Sequence, residues 1–83
     1  MPEVEVGKVS DFFAKPVVAG IDLSGSIRKG DRLHILGHTT DIEIEVTSMQ
    51  IHNTSVEEAN NGDQVGIKVP DRVRPGDKVY KVT

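Results

Sequence analysis

The sequence of 83 residues predicts an all-β fold, a small closed antiparallel barrel of six or seven strands. Residues 41–47 alternate polar and apolar side chains with a period of two, as a half-buried strand does. Other short runs are rich in β-branched residues and are bounded by glycine or proline, and no segment repeats with the helical period. Closure into a barrel would remove the edges that so short an all-β chain otherwise exposes.

Strands are expected along the whole chain. The predicted segments are residues 4–12, 17–23, 33–36, 41–47, 64–69 and 79–82. In the first segment the apolar residues change from even to odd positions between Val6 and Val9. Gly7 lies at that change, which predicts a β-bulge there. In the last segment Val79 and Val82 cannot both point inward unless the strand bends. Residues 55–58 have capping-box spacing, but the polar residues that follow limit any helix to about a turn and a half.

One turn-and-strand unit occurs three times, with glycine, aspartate and then an apolar strand. The three pairs are Gly30-Asp31, Gly62-Asp63 and Gly76-Asp77. Glycine supplies the positive φ that a tight turn needs, and the aspartate carboxylate can accept hydrogen bonds from nearby backbone N–H groups. We therefore interpret these aspartates as turn residues and not as catalytic acids.

The length and composition exclude several classes of protein. Residues 1–83 are enough for a single domain, which excludes a self-contained GTPase or dehydrogenase. Cysteine is absent, so no disulfide framework or thiolate zinc site is expected. The first residues lack the pattern of a secretory signal, and no apolar run reaches the length of a membrane span. We expect a soluble cytoplasmic protein that does not enter a membrane.

The charges are distributed unevenly, although the net charge is only −3. Residues 33–66 contain six acidic residues and no lysine or arginine, whereas residues 67–83 contain five basic residues and two acidic ones. One interpretation is an ordinary solvated surface. The other is a basic surface that contacts an RNA end or another anionic partner. The candidate residues for that contact are Arg28, Lys29, Lys68, Arg72, Arg74, Lys78 and Lys81.

Catalysis by the chain alone has little support in the sequence. His34 and His52 fall near strands that could be neighbours, but their spacing matches no metal-binding motif. No serine lies in a Gly-x-Ser-x-Gly elbow, so nucleophilic catalysis is not indicated. We therefore expect no catalytic residue, no metal site and no cofactor.

Residues 25–37 have the form G-x-I-x-x-G-D followed by an apolar strand, and related segments continue through residues 46–49 and 59–67. In this order they resemble the second, β-barrel domain of translational GTPases such as elongation factor Tu. The chain as a whole resembles small free-standing translation elongation factor-like proteins. Residues 65–69 and 74–77 also resemble the C-terminal barrel of collagenase-like peptidases.

The resemblance implies a barrel of the translation-factor domain 2 type and a binding function. The chain contains no G-x-x-x-x-G-K-[ST] motif, so we expect neither GTP binding nor GTP hydrolysis. The main hypothesis is a non-enzymatic module that contacts tRNA or another RNA weakly through its basic residues. The alternative is a protein-interaction module that serves a larger, peptidase-like enzyme in trans. For that alternative we expect an exposed apolar contact at Leu36 or Met49.

Overall fold

The computed structural model describes residues 3–14 and 17–82, and its regular structure consists of ten β-strands. They are β1 (Glu3–Ala14), β2 (Val17–Leu23), β3 (Ile27–Arg28), β4 (Arg32–Leu36), β5 (Asp41–Glu45), β6 (Met49–Ile51), β7 (Thr54–Ser55), β8 (Glu58–Ala59), β9 (Gln64–Lys68) and β10 (Lys78–Val82). The described residues include no helix long and apolar enough to cross a membrane. The prediction of an all-β fold is confirmed.

All strand pairs are antiparallel. Eight strands form one sheet in the order β5-β4-β10-β1-β2-β9-β6-β7, and β3 pairs with β8 in a separate ladder. The strand count exceeds the expected six or seven because β3, β6, β7 and β8 are only two or three residues long. Two of these short strands, β7 and β8, flank the residues that had capping-box spacing. Within residues 3–14 and 17–82 no ladder joins the edge strands β5 and β7, so closure of the barrel stays a prediction.

The predicted β-bulge at Gly7 is confirmed. The register between β1 and β10 shifts between Glu5 and Gly7, and this shift allows both Val6 and Val9 to be buried. A Cβ atom at Gly7 would lie only 2.7 Å from the carbonyl oxygen of Asp22 on the neighbouring strand. Glycine is therefore required here by the close approach of two backbones.

The core consists of inward-facing aliphatic side chains from nearly every strand. Ile21, Leu33, Ile35 and Val79 are completely buried, as the alternating patterns indicate. Leu36 faces outward and is 40% exposed, as the protein-interaction hypothesis expects. Met49, the other candidate if it were exposed, lies in the core with 1% exposure, which leaves Leu36 as the exposed one of the two.

The three glycine–aspartate turns have the same geometry. Gly30, Gly62 and Gly76 have φ angles of +96°, +93° and +97°. In each turn the aspartate carboxylate accepts a hydrogen bond of 2.9 Å from the backbone N–H three residues earlier. The aspartate N–H in turn donates to the carbonyl of that earlier residue at 3.0–3.1 Å. The predicted role of the aspartates as turn residues is confirmed.

Candidate functional site

Lys81 contributes to the fold rather than projecting freely from the surface. It lies opposite the buried Leu33 on the neighbouring strand, so its side chain starts from the inner face of the sheet. Its ammonium group donates to the carbonyl oxygen of Ser26 at 3.2 Å and lies 3.9 Å from Asp31 Oδ2. These contacts connect β10 to the turns on either side of β3.

The other two candidates near β3 lie on an exposed turn. The backbone N–H of Arg28 donates to Asp31, and its side chain is exposed. Lys29 Nζ lies 3.7 Å from Glu57 Oε2, and both side chains are largely exposed. Such an ion pair contributes little to stability, but the carboxylate reduces the attraction of Lys29 for a phosphate.

The remaining basic candidates are spread over the outer surface. Lys68 lies on β9 and Lys78 on β10, with β1 and β2 between these strands. At about 4.8 Å per strand the two positions are about 14 Å apart across the sheet. The residue of β9 in line with Lys78 is Gln64, so Lys68 lies a further four residues, about 13 Å, along the strand. The Arg72 guanidinium lies 5.6 Å from the centre of the Phe12 ring, a cation–π geometry. Arg74 is the first residue of the Gly76-Asp77 turn, where its backbone N–H donates to the Asp77 carboxylate. The structure therefore places these basic residues at several separate positions.

Lys8 is a further basic residue of the outer face, beyond those predicted from the sequence. Lys8 lies directly opposite Lys78 across β1 and β10, and both are exposed. Like charges in this arrangement repel each other. Asp22 lies on the other side of Lys8 and supplies a compensating charge. The bulge predicted at Gly7 could have identified Lys8 as a residue of the outer face, because the bulge sets the face from which residue 8 projects.

One concave feature of the outer face is a groove with a glycine floor. Gly20 on β2 lies directly opposite Gly66 on β9, and Gln50 on β6 lies opposite Gly66. Neither glycine has a side chain, and the space above them is bordered by neighbours: a Cβ atom at Gly20 would lie 3.2 Å from Asp11 Cβ, and one at Gly66 would lie 3.3 Å from Val18 Cγ1. The hollow above this floor has a volume of about 600 Å³, and Phe13 and Val18 stand at one end. Phe13 is 54% exposed.

A second hollow of about 450 Å³ extends this groove, since Gln64 and His52 line both. At this end Gln64 Nε2 donates a hydrogen bond of 2.7 Å to Asp22 Oδ1. The carboxylates that line the two hollows belong to Asp11, Asp22 and Asp63. Among the lining residues, all in the described part of the chain, there is no lysine or arginine. We call the two hollows together the glycine-floored groove.

The hairpin between β6 and β7 forms one wall of the groove and has an unusual backbone. His52 and Asn53 have φ angles of 51° and 63°, in the left-handed region. A two-residue hairpin turn of type I′ requires positive φ at both positions, where glycine and asparagine are favoured over histidine. The histidine therefore occupies a strained position on the wall of a concave surface, and such strain is often found at binding sites.

A separate polar cluster surrounds His34 on the outer face of β4. The ring Nε2 lies 2.6 Å from Asp41 Oδ1, and Nδ1 lies 2.9 Å from Glu3 Oε2. The hydrogen bond to Asp41, followed by that to Glu3, raises the pKa of His34, and partial burial opposes this rise. A protonated ring donates to both carboxylates at once.

The same cluster also has the composition of a cation site. Within the described ranges, the ligand atoms of Glu3, His34 and Glu43 lie within 4.8 Å of one another. Glu3 is placed by its hydrogen bond to His34, and Glu43 lies opposite His34 across β4 and β5, 3.6 Å from the guanidinium of Arg32. The strands near His34 and His52 are not neighbours, because four strands of the sheet lie between β4 and β6.

The strands and their order define a small all-β domain. The family described as elongation factor Tu domain 2 matches residues 16–71, about two thirds of the chain. The chain belongs to this family, which confirms the barrel resemblance. That it is a stand-alone translation factor stays a prediction.

Two curated proteins to which the chain is similar are longer and are described as proteases. The chain is 43% identical over 79 residues to an uncharacterized protease of Methanocaldococcus jannaschii. The aligned region covers 94% of this chain and 19% of the protease. It is 35% identical over 81 residues to a collagenase of Porphyromonas gingivalis, covering 95% of this chain and 20% of the collagenase. The chain therefore spans about a fifth of the length of these curated relatives.

A solved structure shows the same fold. The C-terminal domain of a candidate U32 peptidase of Geobacillus thermoleovorans superposes with a TM-score of 0.89. The superposition covers 96% of this chain and 93% of that domain, at 16% sequence identity. At this identity the likeness establishes the fold alone.

Proposed function

We propose that this chain is a non-catalytic β-domain that binds the catalytic part of a U32-type, peptidase-like enzyme in trans. The observation that carries the proposal is the pattern of coverage. Nearly the whole chain matches about a fifth of each larger protease, and its fold matches an entire C-terminal domain of a candidate U32 peptidase. The matched region corresponds to one domain of these larger proteins, and this correspondence supports the role of an accessory domain.

The distribution of side chains supports a protein partner better than a nucleic acid. Phe13 and Leu36 are large apolar side chains on the surface, and aromatic side chains are common at the centres of protein interfaces. The basic candidates lie apart, and Lys29 and Lys81 have carboxylate neighbours within 4.0 Å. Contact with tRNA or another RNA stays a prediction from the resemblance to translation factors.

The test is binding of this chain to a protease relative from which the matching region has been removed. The Methanocaldococcus jannaschii protease is suitable because its identity to this chain is 43%. Circular dichroism establishes that the truncated relative is folded, and its own excised domain serves as the positive control. We expect a one-to-one complex by size-exclusion chromatography. The proposal is wrong if the excised domain binds the truncated relative and this chain does not.

A further inference from the structure

We propose that the glycine-floored groove binds an extended polypeptide segment with an apolar side chain at one end and lysine or arginine four residues away. The inference deepens the proposed function, on which it rests, because the segment would belong to the peptidase partner. Three independent features of the groove support the inference: its glycine floor, its length and the sign of its charge.

The floor permits another backbone to come close to the sheet. Gly20 and Gly66 face each other across β2 and β9, so neither strand has a side chain of its own at this point, and the side chains of Asp11 and Val18 border the two glycines. Paired glycines within strands are costly, because they lose more entropy on folding and bury no side chain. The space they leave suits a main chain lying flat on the sheet, and Gln50 beside them offers a side-chain amide for hydrogen bonds.

The length of the groove sets the spacing of the side chains that it receives. Val18 and Asp22 project from the same face of β2 on either side of Gly20. They are four residues apart, which corresponds to about 13 Å along a strand. An extended segment that lies along β2 has nearly the same rise per residue. A side chain that packs on Val18 and Phe13 is therefore about four residues away from one that reaches Asp22.

The charge of the groove selects a cation and disfavours a phosphate backbone. Its lining carries the carboxylates of Asp11, Asp22 and Asp63, and no lysine or arginine occurs among these described lining residues. Nucleic acid binding needs cationic groups that replace the counterions of the phosphates. Lys8 lies opposite Asp22 and Lys68 lies opposite Val18, so each end of the groove has one lysine beside it. Three carboxylates line the groove itself, and the two at the Asp22 end, Asp22 and Asp63, attract a lysine or arginine of a polypeptide.

The wall of the groove is held in place by the His52-Asn53 turn. Both residues have positive φ, and His52 is one of the residues that line both hollows. Replacement of His52 by glycine removes this side chain while the turn keeps its preferred backbone. This variant separates a role in binding from a role in folding.

The experiment selects ligands for the groove from a random dodecapeptide library. The strongest enriched peptide is synthesised with a fluorescent label, and amide NMR spectra identify where it binds. We expect enriched peptides with lysine or arginine four residues from an apolar side chain, and shifted amide signals of Gly20 and Gly66. Selection of acidic peptides, absence of any enriched peptide, or shifts confined to other strands would overturn the inference.

Three variants sharpen the result. Gly66→Val fills the floor and is expected to weaken peptide binding about tenfold or more. Asp22→Asn removes a charge but keeps an oxygen that can accept from Gln64, and is expected to weaken binding about two- to fivefold. Glu45→Gln on the distant strand β5 is the control, with unchanged affinity. Thermal unfolding confirms that each variant is folded. Equal affinity of all three variants contradicts the inference.

Two further outcomes separate this inference from the proposed function. If wild-type chain and Gly66→Val bind the truncated protease equally well, the groove is not the contact and only this inference is overturned. If the groove binds basic peptides but the chain does not bind the truncated protease, only the proposed function fails. A single-stranded RNA oligonucleotide that shifts the amide signals of Gly20 and Gly66 would contradict the assignment of a polypeptide ligand.

Discussion

His34 Nε2 lies 2.6 Å from Asp41 Oδ1, the shortest hydrogen bond made by this ring. Because Nδ1 of the same ring faces Glu3 at 2.9 Å, one histidine connects three strands of the sheet, β1, β4 and β5. Both contacts are strongest when the ring is protonated, since the imidazolium then donates to two carboxylates. The stability of this edge of the sheet is therefore linked to the charge of His34.

Replacement of His34 by glutamine should lower stability more in acid than in base. The pKa of His34 is raised in the folded chain, chiefly by the hydrogen bond to Asp41. The stabilisation is therefore fully present below the unfolded pKa of about 6.5 and is lost as the pH rises through the folded pKa. Urea unfolding at about pH 5.5 and pH 8.5 should show a loss below about 1 kcal/mol that is larger at the lower pH.

The control for this prediction is His38→Gln, which replaces an exposed histidine in the loop after β4. We expect it to change stability by less than His34→Gln at about pH 5.5. A loss in His34→Gln that is the same at both pH values would contradict the role of the charged ring.

Asp77→Ala should destabilise the fold more than Asp63→Ala, although both aspartates form the same turn. Each carboxylate accepts a backbone N–H at 2.9 Å, but only Asp77 is buried, with 5% exposure. Removal of Asp77 leaves the Arg74 N–H without its acceptor in a part-buried site, which costs about 1–3 kcal/mol. Removal of the more exposed Asp63 should cost about 0.5–1.5 kcal/mol. Chemical unfolding measures both, and equal losses would contradict the role of burial.

Features that depend on a few neighbouring residues could be predicted from the sequence. The Gly76-Asp77 turn and its two counterparts follow from the φ of glycine and the reach of an aspartate side chain, both of which are local. The bulge at Gly7 could be predicted because a change in apolar parity is visible within one strand.

Features that depend on register or on distant strands could not be predicted. Gly20 and Gly66 are unremarkable along the chain, and only the pairing of β2 with β9 makes them the floor of a groove. Met49 is apolar in a short segment without clear alternation, so its burial could not be deduced. Lys68 and Lys78 are close in sequence, but the strand order separates them. The candidate groove was therefore inaccessible to sequence patterns alone.

His52→Gly should stabilise the domain and weaken its binding to a partner. Glycine adopts the φ of 51° at this position without steric cost, so we expect a gain of about 0.5–1 kcal/mol in the free energy of unfolding. The imidazole that lines both hollows is lost, so affinity for the truncated protease should fall. Thermal unfolding and calorimetric titration measure the two effects. A variant that is less stable and binds as well as the wild type would contradict both expectations.

Combined replacement of Arg72 and Arg74 by alanine distinguishes a protein partner from RNA. We expect affinity for the truncated protease to change little, because neither side chain lines the groove. RNA binding predicts instead a clear loss of affinity, and a logarithmic salt slope that falls by about 0.7 for each phosphate contact removed. Measurement at two salt concentrations with tRNA and with the truncated protease separates these outcomes.

The most direct test of an accessory role is competition at the site of the natural domain. The truncated Methanocaldococcus jannaschii protease is saturated with its own excised domain, labelled with a fluorophore, and this chain is added unlabelled. Displacement of the label by the wild-type chain, and weaker displacement by Gly66→Val, is the result we predict. A labelled domain that stays bound at every concentration of this chain would contradict the proposal that the chain serves such an enzyme.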